Sequence, residues 1–218
     1  MCVSHLRAKH CKDTQFFGRL DQGAREEDDN REATIVGGAF DVLMAEGLDH
    51  LSYNKVAEAA GTTRQLVRYY FPDPADLMIA LCDQIASVYR EALIEGMGDR
   101  QGADRIALIL DFYFDLLAGP RKPRDDQVYD ALFSLAARSE RIKGNLRQQY
   151  TLLGHVISHE LRQEFPEIPL PACEQLSFVF VSLMYGHWKM VASLGLSEDL
   201  KRITRQAMDR LIDSFRSD

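Results

Sequence analysis

Residues 35–77 read IVGGAFDVLMAEGLDHLSYNKVAEAAGTTRQLVRYYFPDPADL, and this stretch decides the fold. Its apolar side chains recur at helical spacing, and Gly47, Gly61 and Pro72 interrupt the pattern. The first segment predicts a helix with one buried stripe. That stripe consists of Val36, Ala39, Phe40 and Leu43. Gly47 then ends the helix, because glycine adopts the left-handed conformation that follows many helices.

Two short helices are predicted after Gly47. Ser52 is a good N-cap for the first of them, and Gly61 makes the turn that follows. Thr62 and Gln65 form a capping box at the start of the second helix, which ends near Tyr70. Asp73-Pro74 then opens a fourth helix, since proline is tolerated at the first helical position.

Two short helices joined by a tight turn are typical of a helix-turn-helix, here residues 52–71. The second helix of such a motif enters a DNA major groove about 12 Å wide. Arg64 and Arg68 lie four residues apart and therefore on one face. Between Thr62 and Pro72 the chain has two arginines and no acid. The stretch predicts a DNA-binding surface, with ordinary bundle packing of two helices as the alternative.

Helical periodicity continues to the end of the chain, which predicts an all-α fold of about nine helices. An N-terminal three-helix DNA-binding domain precedes a larger helical body for ligand binding and dimerisation. The expected domains are a flexible arm (1–28), a helix-turn-helix domain (29–75) and an effector and dimerisation domain (76–218). The body helices are predicted at 77–97, 103–118, 126–138, 139–165 and 171–194, with a last helix after Ser197. The apolar stripe of that last helix is Leu200, Ile203, Ala207, Leu211 and Phe215.

Composition is that of a soluble globular protein, with 46% hydrophobic and 27% charged residues among 218. The net charge of −7 confines any DNA contact to a locally positive face. No apolar run approaches the roughly 20 residues of a membrane span, and the N-terminus lacks the apolar centre of a signal peptide. A cytoplasmic location is expected. The four scattered cysteines predict neither a disulfide framework nor a metal site.

The order of these features resembles the TetR family of repressors. The matching positions are the amphipathic first helix, Phe40, Gly47, Ser52, Val56-Ala57, Ala60-Gly61, Tyr69-Tyr70-Phe71 and Leu77. The chain departs from the family at Arg68, where a tyrosine is usual, and at Pro74, where many members have lysine. The second departure removes one phosphate contact, for which Arg68 and Tyr70 are the replacement candidates.

The resemblance implies two groups of DNA contacts. Thr63, Arg64 and Gln65 are candidates for base edges, because arginine suits guanine and glutamine suits adenine. The phosphate candidates are Ser52, Tyr53, Asn54, Lys55, Arg68, Tyr69 and Tyr70. The resemblance also implies a homodimer through the last two helices, about residues 172–216, and a small-molecule effector in the body. A segment that is apolar nearly all round, Leu176–Leu194, agrees with burial by a partner chain. A core helix of a monomer is the alternative.

Aromatic walls and a few polar groups suit an effector pocket. The tentative pocket residues are Tyr89, Phe112, Tyr113, Leu116, Phe133, Tyr150, His155, Tyr185 and Trp188. His155 and His159 have the i, i+4 spacing of metal ligands, but a ligand contact or a surface pair is favoured over metal. No cofactor is expected beyond the unknown effector.

The function predicted is therefore a ligand-responsive regulator: a dimeric repressor on a palindromic operator, released by a small molecule. No phosphate-binding loop, nucleophile elbow or paired metal-ligand motif indicates an enzyme. The alternatives are a helical dimeric binding module and a small-molecule enzyme without DNA function. The sequence identifies neither the effector nor the operator, and it does not separate repression from activation.

Overall fold

The computed structural model describes residues 28, 30–97, 103–117, 126–197 and 199–216. Within these ranges the chain forms nine α-helices and no strand, so the all-α prediction is confirmed. The helices are α1 (residues 30–46), α2 (Tyr53–Ala59), α3 (Arg64–Tyr70), α4 (Pro74–Met97), α5 (Ala103–Tyr113), α6 (Asp126–Ala136), α7 (Glu140–Glu164), α8 (Leu170–Trp188) and α9 (Asp199–Arg216). A turn of 3-10 helix, Leu48–His50, precedes α2, and a π-helical segment, Lys189–Ser193, follows α8.

The chain folds as two compact units, which divide in sequence between Asp73 and Pro74. The predicted arm, residues 1–28, lies outside the described residues except for Asp28. Helices α1, α2 and α3 belong to the first unit, and α4 to α9 belong to the second.

The first unit has a small core formed by one face of each of its helices. The buried side chains are Ile35, Val36, Ala39, Val42, Leu43, Val56, Ala57, Val67 and Phe71. Three of the four predicted α1 stripe residues are among them, and Phe40 is half-buried. Gly47 ends α1 with a φ of 80°, the left-handed conformation expected of it.

Helix α3 is capped by Thr63, not by Thr62. The Thr63 hydroxyl accepts a hydrogen bond from Leu66 N at 3.2 Å, whereas the backbone N–H of Thr62 donates to the Ala57 carbonyl at 2.8 Å. The predicted capping box is therefore wrong by one residue. Gly61 has a φ of 62° and completes the turn between α2 and α3. The predicted Ser52 cap is confirmed, since its hydroxyl accepts from Lys55 N at 3.4 Å.

Helices α1 and α2 approach each other closely at Gly38. A Cβ added there would lie 2.9 Å from the Val56 carbonyl oxygen and equally near the backbone nitrogen and Cβ of Ala60. The neighbouring Gly37 has open space at the same position. The packing of α1 on α2, and with it the placement of the helix-turn-helix, depends on the missing side chain of Gly38.

Gly38→Ala is expected to destabilise the first unit by about 1–3 kcal/mol, because backbone atoms must shift to admit the methyl group. Gly37→Ala is the matched control. It should stabilise α1 by about 0.5–1 kcal/mol, the usual gain from alanine in a helix. Hydrogen exchange of the α1–α3 amides in the two variants tests this. Equal exchange in both would contradict the close approach of α1 and α2.

In the second unit, α8 is the central helix and packs most extensively against α7. Leu176, Phe180 and Met184 of α8 are almost completely buried. Helix α7 begins and ends as predicted, with the Ser139 hydroxyl as its cap. Helix α5 is shorter than predicted and ends at Tyr113, because Phe114 turns into the core and Asp115 adopts a φ of 57°.

Helix α9 packs against α8 with a face other than the predicted one. Met208 and Ile212 are buried, whereas Ile203 is 59% exposed and Ala207 is exposed. Leu200, Leu211 and Phe215 are only half-buried. The predicted stripe is therefore not the stripe that the single chain buries, and it remains largely on the surface.

Candidate nucleic-acid interface and ligand cavity

Helix α3 presents a continuous polar surface. Val67 is fully buried and holds the helix on its unit, so the opposite face is turned outward. The exposed side chains from the cap onward are Thr63, Arg64, Gln65, Arg68 and Tyr69. Tyr69 is 74% exposed, although its ring is large and apolar. All three predicted base-edge candidates thus lie at the N-terminal end of the helix, and both arginines are accessible.

The predicted phosphate contacts from α2 and the end of α3 have internal partners. Tyr53 donates its hydroxyl hydrogen to the Phe71 carbonyl, and Tyr70 donates to a carboxylate oxygen of Asp28. The hydrogen bond to Asp28 also raises the pKa of Tyr70 above its ordinary value. Both tyrosines therefore tie segments of the first unit together.

Lys55 is paired with Glu46 of α1 at 2.7 and 2.8 Å. This contact lowers the pKa of Glu46 and raises that of Lys55. Since both side chains are on the surface, the pair contributes little to stability, and an approaching phosphate can compete for the lysine. Ser52 and Asn54 are exposed beside it. The structure thus brings the ten predicted DNA-contact residues onto α2, α3 and their caps.

The second unit contains a cavity of about 390 Å³, bounded by α4, α5, α6, α7 and α8. This volume lies within the range of small-molecule sites, about 300–1,000 Å³. Its walls are mainly aliphatic and aromatic. The lining residues are Ala86, Tyr89, Arg90, Leu93, Ile94, Met97, Arg105, Tyr113, Tyr129, Gln149, Tyr150, Leu152, Leu153, Val156, Glu160, Met184 and Trp188.

Four of the nine tentative pocket residues line this cavity: Tyr89, Tyr113, Tyr150 and Trp188. The other five do not. Phe112 is buried behind Tyr89, with ring centroids 6.2 Å apart, and Leu116 lies beyond the end of α5. Phe133 packs against Tyr185 at 5.0 Å and against the lining residue Tyr150 at 5.9 Å, but neither Phe133 nor Tyr185 lines the cavity. His155 is exposed.

The aromatic wall is an ordered cluster. The ring of Tyr89 stacks on Trp188 at 5.8 Å and on Tyr113 at 6.5 Å. The indole N–H of Trp188 donates to the Tyr113 carbonyl at 2.9 Å, which fixes the plane of the indole. Burial raises the pKa of the Tyr113 hydroxyl, so that side chain stays neutral. Tyr129 extends the wall, its centroid 6.4 Å from that of Trp188.

The charged groups of the cavity were not predicted from the sequence. Arg105 of α5 forms a two-point ion pair with Glu160 of α7, at 2.9 Å from Nε and 2.8 Å from Nη2. Glu160 is 8% exposed, and the hydrogen bonds from Arg105 hold the pKa of its carboxyl below the ordinary value. The two residues are 55 positions apart, so no local pattern links them.

No group of three or more histidine, cysteine, aspartate or glutamate side chains in the described part of the chain is arranged to hold a metal ion. His155 and His159 are both exposed on α7. The same search range contains no helix with the length and apolar character needed to cross a membrane.

Comparison with solved structures decides the fold. A TetR transcription regulator from Haloarcula marismortui superposes with a TM-score of 0.70, covering 86% of this chain and 98% of the other at 16% identity. The chain has the TetR fold. The TetR resemblance of residues 35–77 is thus confirmed at the level of the fold. The multidrug binding protein EbrR, complexed with ethidium, also has this fold, with a TM-score of 0.60 at 17% identity over 83% of this chain and 98% of that one.

A sequence relative extends the comparison. It is named "Uncharacterized HTH-type transcriptional regulator in dhlA 5'region", from Xanthobacter autotrophicus, and is 24% identical over 84% of this chain and 89% of its own length. No protein-family model matches the chain. These TetR-fold and sequence relatives are named as transcriptional regulators or a drug-binding protein, and none of the three is named as an enzyme.

Proposed function

We propose that this TetR-fold chain is a ligand-responsive, DNA-binding transcriptional repressor that binds a palindromic operator as a homodimer. The observation that carries the proposal is the outer face of α3, where Arg64, Gln65 and Arg68 are exposed and no acid lies among them. The whole chain has a net charge of −7, but this face of α3 is positive. Phosphate attraction requires positive charge only at the docking face.

The order of side chains on α3 fits insertion by its N-terminal end. Thr63, Arg64 and Gln65 lie in the first turn, the part of a recognition helix that contacts base edges. Arg68 and Tyr69 lie one turn later and suit the flanking phosphates. For Lys55 to bind a phosphate, its ion pair with Glu46 must break.

Surface apolar groups on the last two helices support dimerisation. Phe178 of α8 is 73% exposed, and Ile203 of α9 is 59% exposed. Small residues accompany them on the same faces, Ser182 on α8 and Ala207 on α9, and permit close helix approach. Two such helices from each protomer make a four-helix interface about a two-fold axis. The two-fold axis relates two copies of α3 that must lie about 34–36 Å apart to bind the two halves of a palindromic site.

The cavity supports control by a small molecule. Helix α4 lines it from Ala86 to Met97, and the same helix begins at Pro74, directly after the first unit in sequence. A ligand that binds better to one position of α4 than to another shifts the population between them. We propose that this shift changes the spacing of the two reading heads and releases the operator.

Fluorescence anisotropy of the full chain with duplex DNA from upstream of its own gene tests the DNA-binding proposal. Binding to the specific duplex is expected to be about 10³-fold or more tighter than to a random duplex, and to weaken steeply as salt rises. If the operator does not lie upstream of this gene, a genome-wide selection of bound DNA fragments will find it. Absence of specific, salt-sensitive binding in both experiments would overturn the proposal.

A further inference from the structure

We infer that the cavity selects a monocarboxylate with an apolar, ring-sized body, and that Arg105 and Arg90 hold its carboxylate. The inference deepens the proposed function and rests on it only in taking the cavity as the effector site. The geometry and the charge of the lining residues determine the class of ligand.

The charge of the lining is positive. Among the described residues that line the cavity, the side chains charged at neutral pH are Arg90, Arg105 and Glu160, and together they leave one net positive charge. A ligand with a single negative charge neutralises the lining, whereas a cation adds to its excess.

The Arg105–Glu160 pair has unused N–H donors on its guanidinium. Both carboxylate oxygens of Glu160 already accept hydrogen bonds from Arg105. The guanidinium has five N–H donors, of which this pairing uses two. Among the described residues Glu160 is its one ion-pair partner, and the side chain of Arg105 is 34% exposed. A carboxylate can therefore bind the remaining donors of Arg105, while an ammonium group has to share the Glu160 carboxylate with Arg105.

The aromatic wall does not reverse this preference. Cations bind aromatic faces, but Tyr89 stacks on both Trp188 and Tyr113, and these contacts occupy part of the faces of all three rings. The tyrosine side chain of Tyr113 is neutral, since burial raises its pKa. The wall therefore suits an apolar ring or short chain better than it suits a cation.

The entrance is apolar. Ile94 of α4 and Leu152 and Val156 of α7 line the cavity and are exposed at the surface. Arg90 is exposed as well, one turn of α4 before Ile94. A ligand body can enter past these exposed side chains, and both Arg90 and Arg105 are accessible to it.

The test compares three probes of equal shape: phenylbutyrate, the neutral phenylbutyramide and phenylbutylammonium. Trp188 is the single tryptophan of the chain and lies in the cavity wall, so its fluorescence reports occupancy without a label. Isothermal titration calorimetry provides an independent affinity. We expect the carboxylate to bind about tenfold or more tighter than the amide, the gain from one charge-assisted hydrogen bond. The ammonium probe should bind more weakly than the amide.

Variants separate Arg105 from its partner. Arg105→Gln should weaken phenylbutyrate about tenfold to a hundredfold, and Glu160→Gln should leave its affinity unchanged or increase it. Because Arg105→Gln leaves a buried carboxylate alone, the double variant Arg105→Gln with Glu160→Gln guards against misfolding. Its preference for the carboxylate over the amide should be smaller than that of the wild type, because only Arg90 remains to hold the carboxylate. Far-UV circular dichroism checks that each variant is folded.

Tighter binding of the ammonium probe, with loss of that binding in Glu160→Gln, would overturn the inference. So would equal binding of all three probes, or no binding of any at millimolar concentration. These measurements use protein without DNA. Failure of carboxylate selection with intact operator binding therefore rejects the ligand class alone, whereas loss of operator binding concerns the proposed function.

Discussion

Replacement of Arg64 and Arg68 together by alanine is expected to lower operator affinity by at least about a hundredfold. The base contact of Arg64 contributes about 1–3 kcal/mol, Arg68 adds a phosphate contact, and each contact occurs twice in a dimer. Both side chains are exposed on α3, and neither contributes to the core of its unit. The melting temperature should therefore stay near that of the wild type. Anisotropy at several salt concentrations measures the affinity and its salt dependence.

The matched control replaces Arg138 and Arg147 by alanine. Both are exposed in the second unit, so the net charge changes by the same amount. Operator affinity should change by less than about threefold, since neither side chain belongs to α3 or to the first unit. Equal losses in the two double variants would mean that overall charge, and not the α3 face, governs DNA binding.

Substitution of Phe178 by glutamate is expected to convert the dimer into monomers. The side chain is 73% exposed in the single chain, and in a two-fold interface it is buried twice. Loss of two buried phenylalanines raises the dimer dissociation constant by about two to four orders of magnitude. Ile203→Glu tests the α9 side of the same interface and should act in the same direction.

Val88→Glu is the control for these two substitutions. Val88 is an exposed apolar residue of α4, and the change introduces the same charge away from α8 and α9. Sedimentation velocity should give a dimer for this variant and monomers for Phe178→Glu. If Phe178→Glu sediments as the wild type does, the dimer forms through another surface. Operator affinity should fall together with dimerisation, because a lone head reads only one half-site.

Caps and turn residues in the sequence predicted the helices of the first unit well, but the predicted N-cap of α3 was wrong. Ser52, Gly61 and Pro74 act on their own backbone, so the sequence indicates their roles directly. Thr62 and Thr63 are both competent caps. Which of them caps α3 depends on the direction of the chain after the turn at Gly61. In the structure the Thr62 N–H donates to the Ala57 carbonyl.

The cavity was predictable in part. Aromatic residues on amphipathic helices predicted a wall, and Tyr89, Tyr113, Tyr150 and Trp188 lie in it. Phe133 has the same kind of sequence neighbourhood but packs between Tyr185 and the outer side of the wall at Tyr150, and does not line the cavity. Periodicity identifies which face of a helix is apolar, but it does not indicate whether that face meets core, cavity or a partner.

The sequence by itself determined that the chain is helical, where most helices begin and end, and that α3 has a positive face without acids. These properties depend on backbone propensity, caps and spacing within a few residues, so they are local. Only the tertiary structure decided that Arg105 meets Glu160, that Gly38 must lack a side chain, and that α9 buries Met208 while Ile203 stays outside. Each of these depends on atoms from segments distant in sequence, and their meeting follows from packing the helices against one another.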